Sequence, residues 1–186
     1  MTFEPVLGAA GWNLSIDAND FDLFQLAVQF VQDRDVIDGR WKDLQRQVHP
    51  DRFAAQGAAA QRVAMQWAIR VNEAYRRLKD PLARATYLCE LHGHPIQAGT
   101  NTAMPTPFLM QQMAWREALE VARTADEVQR LVVDVASCQG ALLRDLAALI
   151  DDRLDWPAAA AQVRSLMFVT RFAEDVERRL EASIPA

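Results

Sequence analysis

Three consecutive residues, His49, Pro50 and Asp51, place an imidazole, a rigid backbone and a carboxylate at the end of a helical pattern. A carboxylate can accept two parallel hydrogen bonds from an arginine of another protein. Proline fixes its backbone, so a loop that contains it has little entropy left to lose when it is bound. His49 lies at the carbonyl end of its helix, where donors and positive charge are favoured. The tripeptide could therefore form an exposed contact for a protein partner.

Cationic side chains surround this tripeptide. Lys42 and Arg46 lie on the preceding helix, and Arg52 follows the proline. At about 100° per residue, the two helical cations fall opposite the apolar stripe. That stripe consists of Ile37, Trp41, Leu44 and Val48. A basic face beside the tripeptide is suited to an acidic partner, although a solvated helix face is the more ordinary explanation of such spacing.

A second candidate surface lies on the helix predicted over 107–123. Leu109, Met110 and Met113 fall away from its bundle-facing stripe, and Glu117 lies among them. The stripe itself consists of Phe108, Trp115, Leu119 and Ala122. Phe168 likewise falls outside the apolar stripe of the last helix. An exposed patch of methionine and phenylalanine usually binds a partner; the alternative is that it packs against the N-terminal domain.

Catalytic and metal chemistry are poorly supported. His49 and Asp51 could act as a general base and its orienting carboxylate. We expect them to point apart around Pro50, and no nucleophile or oxyanion motif accompanies them. His92 and His94 lack the further ligands that a metal site needs. The sequence therefore predicts no enzymatic activity, no metal and no cofactor.

The elements that position these residues are helical almost throughout, which predicts an all-α fold. Residues 1–19 show no clear period and are expected to form a loose arm. Asp20 is predicted to cap a short helix, and Asp33 or Asp35 a second helix that ends at Pro50. A loop is predicted over 51–61, followed by a long helix to about residue 80. The buried stripe of that helix is expected to comprise Met65, Ala68, Val71, Tyr75 and Leu78.

A further helix is predicted from Pro81 to Gly93. Residues 94–107 contain three prolines and no apolar period, which favours a linker. Three more helices then begin at cap signals, and their short connections predict an antiparallel three-helix bundle. Those signals are Thr106–Pro107, the capping box Thr124–Glu127 and Asp155–Pro157. The expected division is an arm over 1–19, a domain over 20–93, a linker over 94–106 and a domain over 107–186.

Composition excludes several classes of function. The 186 residues are 51% hydrophobic and 24% charged, which is typical of a globular protein. The net charge of −5 disfavours binding to nucleic acid through a basic surface. No apolar run approaches the ~18–20 residues of a membrane span. The first residues lack a basic segment and carry Glu4, so no secretory signal is expected. Two cysteines at no metal-ligand spacing are expected to be reduced thiols, which predicts a cytoplasmic protein.

The motifs together resemble one family. The tripeptide between two helices is the signature of J-domain co-chaperones, and the long helix supplies the matching strings Val71-Asn72-Glu73-Ala74-Tyr75 and Leu78-Lys79-Asp80-Pro81. Residues 20–53, 84–88 with 91–93, and 108–110 are similar to HscB, the J-protein of bacterial iron–sulfur cluster assembly. The resemblance covers about residues 20–183. The paired CxxC motifs of eukaryotic relatives do not occur in this sequence.

This resemblance implies an L-shaped protein in which a J-domain, a helical hairpin with flanking short helices, adjoins the three-helix bundle. It implies a co-chaperone that stimulates an HscA/DnaK-type ATPase and delivers an IscU-type scaffold to it. The implied ATPase-binding residues are His49, Pro50, Asp51, Arg40, Lys42, Arg46 and Arg52. The implied scaffold-binding residues are Leu109, Met110, Met113, Glu117 and Phe168.

The chain departs from the best-known members of that family at Ala114 and Val121, where they have acidic residues. We therefore expect a more apolar and less charged scaffold contact. Two other functions stay open at this point. One is a J-protein for a different client, and the other is a helical adaptor in which the tripeptide is incidental.

Overall fold

The computed structural model describes residues 15, 17–97 and 104–182, and every regular element among them is helical. The α-helices are α1 (Asp20–Phe24), α2 (Arg34–Val48), α3 (Ala58–Lys79), α4 (Pro81–Leu91), α5 (Thr106–Val121), α6 (Ala125–Ala147) and α7 (Trp156–Glu181). A 3₁₀ helix (Pro50–Gln56) precedes α3, and a π-helical turn (Ala148–Asp152) extends α6. This confirms the predicted all-α fold. No helix in the described ranges is long and apolar enough to cross a membrane.

The chain divides into two compact units, Met1–Arg84 and Ala85–Ala186. The division falls within α4, whereas the sequence predicts a linker over 94–106. Residues 98–103 of that linker lie outside the described part of the chain, as does most of the predicted arm over 1–19. The domain boundaries therefore stay predictions.

The first unit is built on an antiparallel pair of helices, α2 and α3, with α1 packed against both. The Tyr75 hydroxyl donates to Asp38 Oδ1 at 3.0 Å, and Trp41 Nε1 donates to Asn72 Oδ1 at 3.0 Å. The Trp41 and Tyr75 rings also stack, with centroids 4.6 Å apart. Later residues of α2 thus meet earlier residues of α3, which fixes the antiparallel register.

The buried face of α3 differs from the predicted stripe. The buried residues are Ala64, Trp67, Val71, Ala74 and Leu78. Met65 is 57% exposed, and Ala68 and Tyr75 are only partly covered. The prediction was wrong for Met65 because burying the large Trp67 removes more apolar area from water. The helix is rotated accordingly.

The predicted loop over 51–61 is also largely helical. The 3₁₀ helix ends at Gln56, and α3 begins at Ala58. Gly57 alone separates them, with φ of 92°, a conformation that favours glycine. The alanines on either side of it have the highest helix propensity, so small residues here extend helices and do not form a loop.

Asp20 is not a cap but a buried anion. Asn19 caps α1, because its side-chain oxygen accepts the Asp22 N–H at 2.9 Å. Asp20 is fully buried, with Oδ1 2.7 Å from Arg70 Nη1 and Oδ2 2.6 Å from Arg77 Nε. These ion pairs join α1 to α3.

We predict that Asp20→Asn lowers the free energy of unfolding by about 3–5 kcal/mol, because the largely covered Arg70 guanidinium loses its buried counter-charge while the side-chain shape is kept. Chemical denaturation measures this change. Asp22→Asn on the exposed side of the same helix is the matched control and should cost far less. A loss below about 1 kcal/mol in Asp20→Asn would contradict the structural role of the pair.

In the second unit, α6 and α7 form an antiparallel pair. Gln139 Nε2 donates to Thr170 Oγ1 at 3.2 Å, and Gln162 Nε2 donates to Asp145 Oδ2 at 3.3 Å. The core comprises Trp115, Ala122, Val128, Leu131, Val135, Val169 and Val176. The unit therefore confirms the predicted three-helix bundle.

Helix α5 joins this bundle through a tight reversal. The predicted capping box is present: Glu127 N–H donates to Thr124 Oγ1 at 3.3 Å, and Glu127 Oε2 accepts the Thr124 N–H at 3.0 Å. Backbone hydrogen bonds from Arg123 and Thr124 lower the pKa of Glu127. Thr106, in contrast, does not cap α5, because it is already helical and Pro105 occupies the cap position.

Candidate functional site

The His49-Pro50-Asp51 tripeptide forms a rigid, exposed corner between α2 and the 3₁₀ helix. His49 is extended and ends α2, and Pro50 is the first residue of the 3₁₀ helix. The Asp51 N–H donates to His49 Nδ1 at 3.3 Å. The His49 and Asp51 side chains are 55% and 90% exposed. Because Nδ1 accepts, the neutral ring carries its proton on Nε2 and can donate it to a partner.

The prediction that these two side chains point apart is wrong. His49 Nδ1 lies 3.6 Å from Asp51 Oδ2. The His49 side chain caps the 3₁₀ helix, and this capping turn folds the chain around Pro50 and brings both groups to one side. The corner therefore presents a donor and a carboxylate together, which is what recognition by a polar partner requires.

The predicted cations lie around this corner with different degrees of exposure. Lys42, Arg46 and Arg52 are exposed, and Arg40 is partly buried. Arg46 forms an ion pair with Asp43, which offsets part of its charge. Arg52 Nη1 donates to the Arg46 carbonyl at 3.0 Å. This bond ties the 3₁₀ helix to the last turn of α2, so Arg52 also positions the tripeptide.

The second candidate surface, which we call the α5 patch, comprises Leu109, Met110, Met113, Glu117 and Phe168. The exposed fractions are 43% for Leu109, 66% for Met110, 71% for Met113 and 39% for Phe168, and Glu117 is also exposed. The helix geometry therefore predicts the exposure of this strip correctly. Its role in binding stays a prediction.

A pocket of about 60 Å³ lies between α5 and α7 and was not predicted from the sequence. Phe168 of the α5 patch lines it, together with Gln112, Trp115, Arg116, Arg171 and other α7 residues. The Trp115 and Phe172 rings stack beneath it, with centroids 5.8 Å apart. In the sequence, both arginines fall outside the apolar stripes of their helices, which indicates that they are exposed. The pocket itself could not be predicted, because it depends on how α5 packs against α7.

Metal ligands and reactive thiols do not cluster. Across residues 17–97 and 104–182, no group of three or more His, Cys, Asp or Glu side chains could hold a metal ion. His92 stacks on Trp156, with ring centroids 3.7 Å apart. Burial raises the pKa of Cys89 to about 11, so its thiol stays protonated and unreactive at neutral pH.

Comparison with known proteins agrees with this architecture. Residues 104–177 match the family model of the HSCB C-terminal oligomerisation domain. The "Co-chaperone protein HscB homolog" of Burkholderia multivorans is 48% identical over 171 residues, which cover 90% of this chain and 97% of the relative. The structure of chaperone HscB from Vibrio cholerae is 34% identical, with a TM-score of 0.78 over 90% of this chain and 100% of that one.

The human co-chaperone protein HscB is 24% identical and has the same fold, with a TM-score of 0.84 over 89% of this chain and 83% of that one. The bacterial relative matches at high identity along nearly its whole length, and the family model covers the bundle that carries the α5 patch. The chain therefore belongs to the HscB family of co-chaperones.

Proposed function

We propose that this co-chaperone stimulates the ATPase of an HscA/DnaK-type chaperone and delivers an IscU-type scaffold to it during iron–sulfur cluster maturation and transfer. One observation carries the proposal: the exposed histidine–proline–aspartate corner and the exposed α5 patch occur on two different units of one chain. Two separate contact surfaces are what an adaptor between two proteins needs. The chain acts without a cofactor or catalytic chemistry of its own, in the cytoplasm.

The J-domain surface consists of the corner and the cations of α2. Asp51 offers a carboxylate to an arginine of the ATPase, and His49 offers its Nε2–H. Pro50 and the Arg52 bond to the Arg46 carbonyl hold the corner in place before docking. A rigid corner binds with less entropic cost than a flexible loop.

Reversal of Lys42 and Arg46 to Glu should weaken docking on the ATPase by ~10-fold or more, because like charges then face each other. Docking of the wild-type chain should weaken as salt rises, since exposed charges are screened within ~10 Å at 0.1 M. Both can be measured by titrating the chaperone at two ionic strengths. The control is Arg62→Glu with Arg76→Glu, two exposed residues of α3, because it changes the net charge by the same amount at a different place. Salt-independent affinity, or a large loss of thermal stability, would count against this face.

The scaffold surface is the α5 patch, where exposed methionine and phenylalanine side chains supply adaptable apolar area. Sedimentation velocity of the chain mixed with an IscU-type scaffold tests this half of the proposal. A one-to-one complex that persists at high salt is expected, because the contact is mainly apolar. Absence of a complex at micromolar concentrations would refute scaffold delivery and leave a J-protein for another client.

A further inference from the structure

The pocket between α5 and α7 adjoins the α5 patch. Phe168 belongs to both, so a protein that covers the patch also reaches the mouth of the pocket. The pocket measures about 60 Å³, whereas a single water needs roughly 10–15 Å³. It therefore has room for a small group such as a side-chain carboxyl.

The charges around the pocket favour an anion. Arg116 and Arg171 line it, and neither forms an ion pair with any residue in the described ranges. The one acidic residue of the lining, Asp175, is already paired with Arg178. The pocket is thus cationic on a domain whose residues 96–186 carry thirteen acidic and nine basic side chains. Two guanidinium groups beside aromatic rings are well suited to binding a carboxylate.

We infer that this pocket receives an aspartate or glutamate side chain of the scaffold, held by Arg116 and Arg171 while the neighbouring apolar residues bind the α5 patch. The inference rests on the proposed scaffold-binding function. It adds that the scaffold is negatively charged where it meets the edge of the α5 patch. The apolar patch provides area, and the pair of arginines sets the orientation in which the scaffold docks.

The test is a calorimetric titration of the full chain with the IscU-type scaffold. Arg116→Glu with Arg171→Glu should weaken binding by ~10-fold or more, and Arg116→Gln with Arg171→Gln should weaken it by a smaller factor. Arg130→Glu, exposed on α6 and outside the pocket, should leave the affinity unchanged. Reversal of one scaffold Asp or Glu to Lys should restore binding to the double Glu variant. Thermal melts establish that each variant is folded.

The outcomes separate the two claims. If the wild-type chain binds the scaffold and the folded double variants bind equally well, the acidic-residue subsite is refuted and scaffold binding stands. If the wild-type chain does not bind the scaffold, the proposed function itself fails. If the wild-type chain self-associates in sedimentation and the double Glu variant does not, the pocket belongs to a second copy of this chain and the inference is overturned.

Discussion

Replacement of His49 by glutamine is expected to reduce stimulation of the partner ATPase to the basal rate. Glutamine keeps a polar side chain but lacks the ring that caps the 3₁₀ helix through Nδ1 while leaving Nε2–H to donate. Steady-state phosphate release by an HscA-type chaperone, measured against increasing concentrations of the variant, gives the result. Helicity and scaffold binding should be unchanged, because the His49 side chain is 55% exposed and is not part of the buried core of either unit.

A matched histidine variant separates this effect from a general loss of imidazole. His94→Gln, which follows α4 and lies far along the chain from the corner, should stimulate as the wild type does. A His49→Gln variant that still stimulates at the wild-type rate would contradict the assignment of the corner as the stimulatory element.

Simultaneous truncation of the α5 patch, Leu109→Ala with Met110→Ala and Phe168→Ala, should remove scaffold binding, with a loss of affinity of ~100-fold or more. Stimulation of the ATPase without scaffold should persist. Because these side chains are exposed, their truncation creates no packed cavity and should change the melting temperature little. If they were buried, each truncation would cost ~2–5 kcal/mol of stability.

The control truncates three exposed apolar side chains elsewhere: Met65→Ala, Ile69→Ala and Val133→Ala. These residues are at least as exposed as Phe168 and lie outside the patch. Calorimetry with the scaffold and a thermal melt are run on both variants. Intact binding in the patch variant would refute the site. Lost binding with a collapsed melting temperature would show instead that the patch supports the fold.

Local signals in the sequence predicted much of the fold. Caps are short-range interactions, so Thr124 with Glu127, and Asp155, mark two helix starts correctly. Of the two candidate caps of α2, Asp33 is the cap and Asp35 lies in the first turn. Helical periodicity also separates the two faces of α5, since the period depends only on the geometry of one helix. The tripeptide and its helices carry the family resemblance. The similarity of the chain to bacterial HscB proteins confirms it.

The features that could not be predicted from the sequence depend on contacts between helices. Asp20 has the residue type of a cap, and its pairing with Arg70 and Arg77 follows only when α1 packs on α3. Met65 fits the spacing of the α3 stripe, but the helix rotates to bury Trp67. The pocket beside Phe168 needs the register of α5 against α7. Periodicity gives the faces of a helix, and packing decides which face is covered.

The most direct test of the central claim is the steady-state ATPase rate of an HscA-type chaperone, measured against scaffold concentration with and without this chain. The wild-type chain should raise the rate and lower the scaffold concentration needed for half-maximal stimulation. His49→Gln should do neither, and the α5 patch variant should raise the rate without lowering that concentration. A wild-type chain that leaves both the rate and the half-maximal scaffold concentration unchanged would contradict the claim that it couples the two proteins.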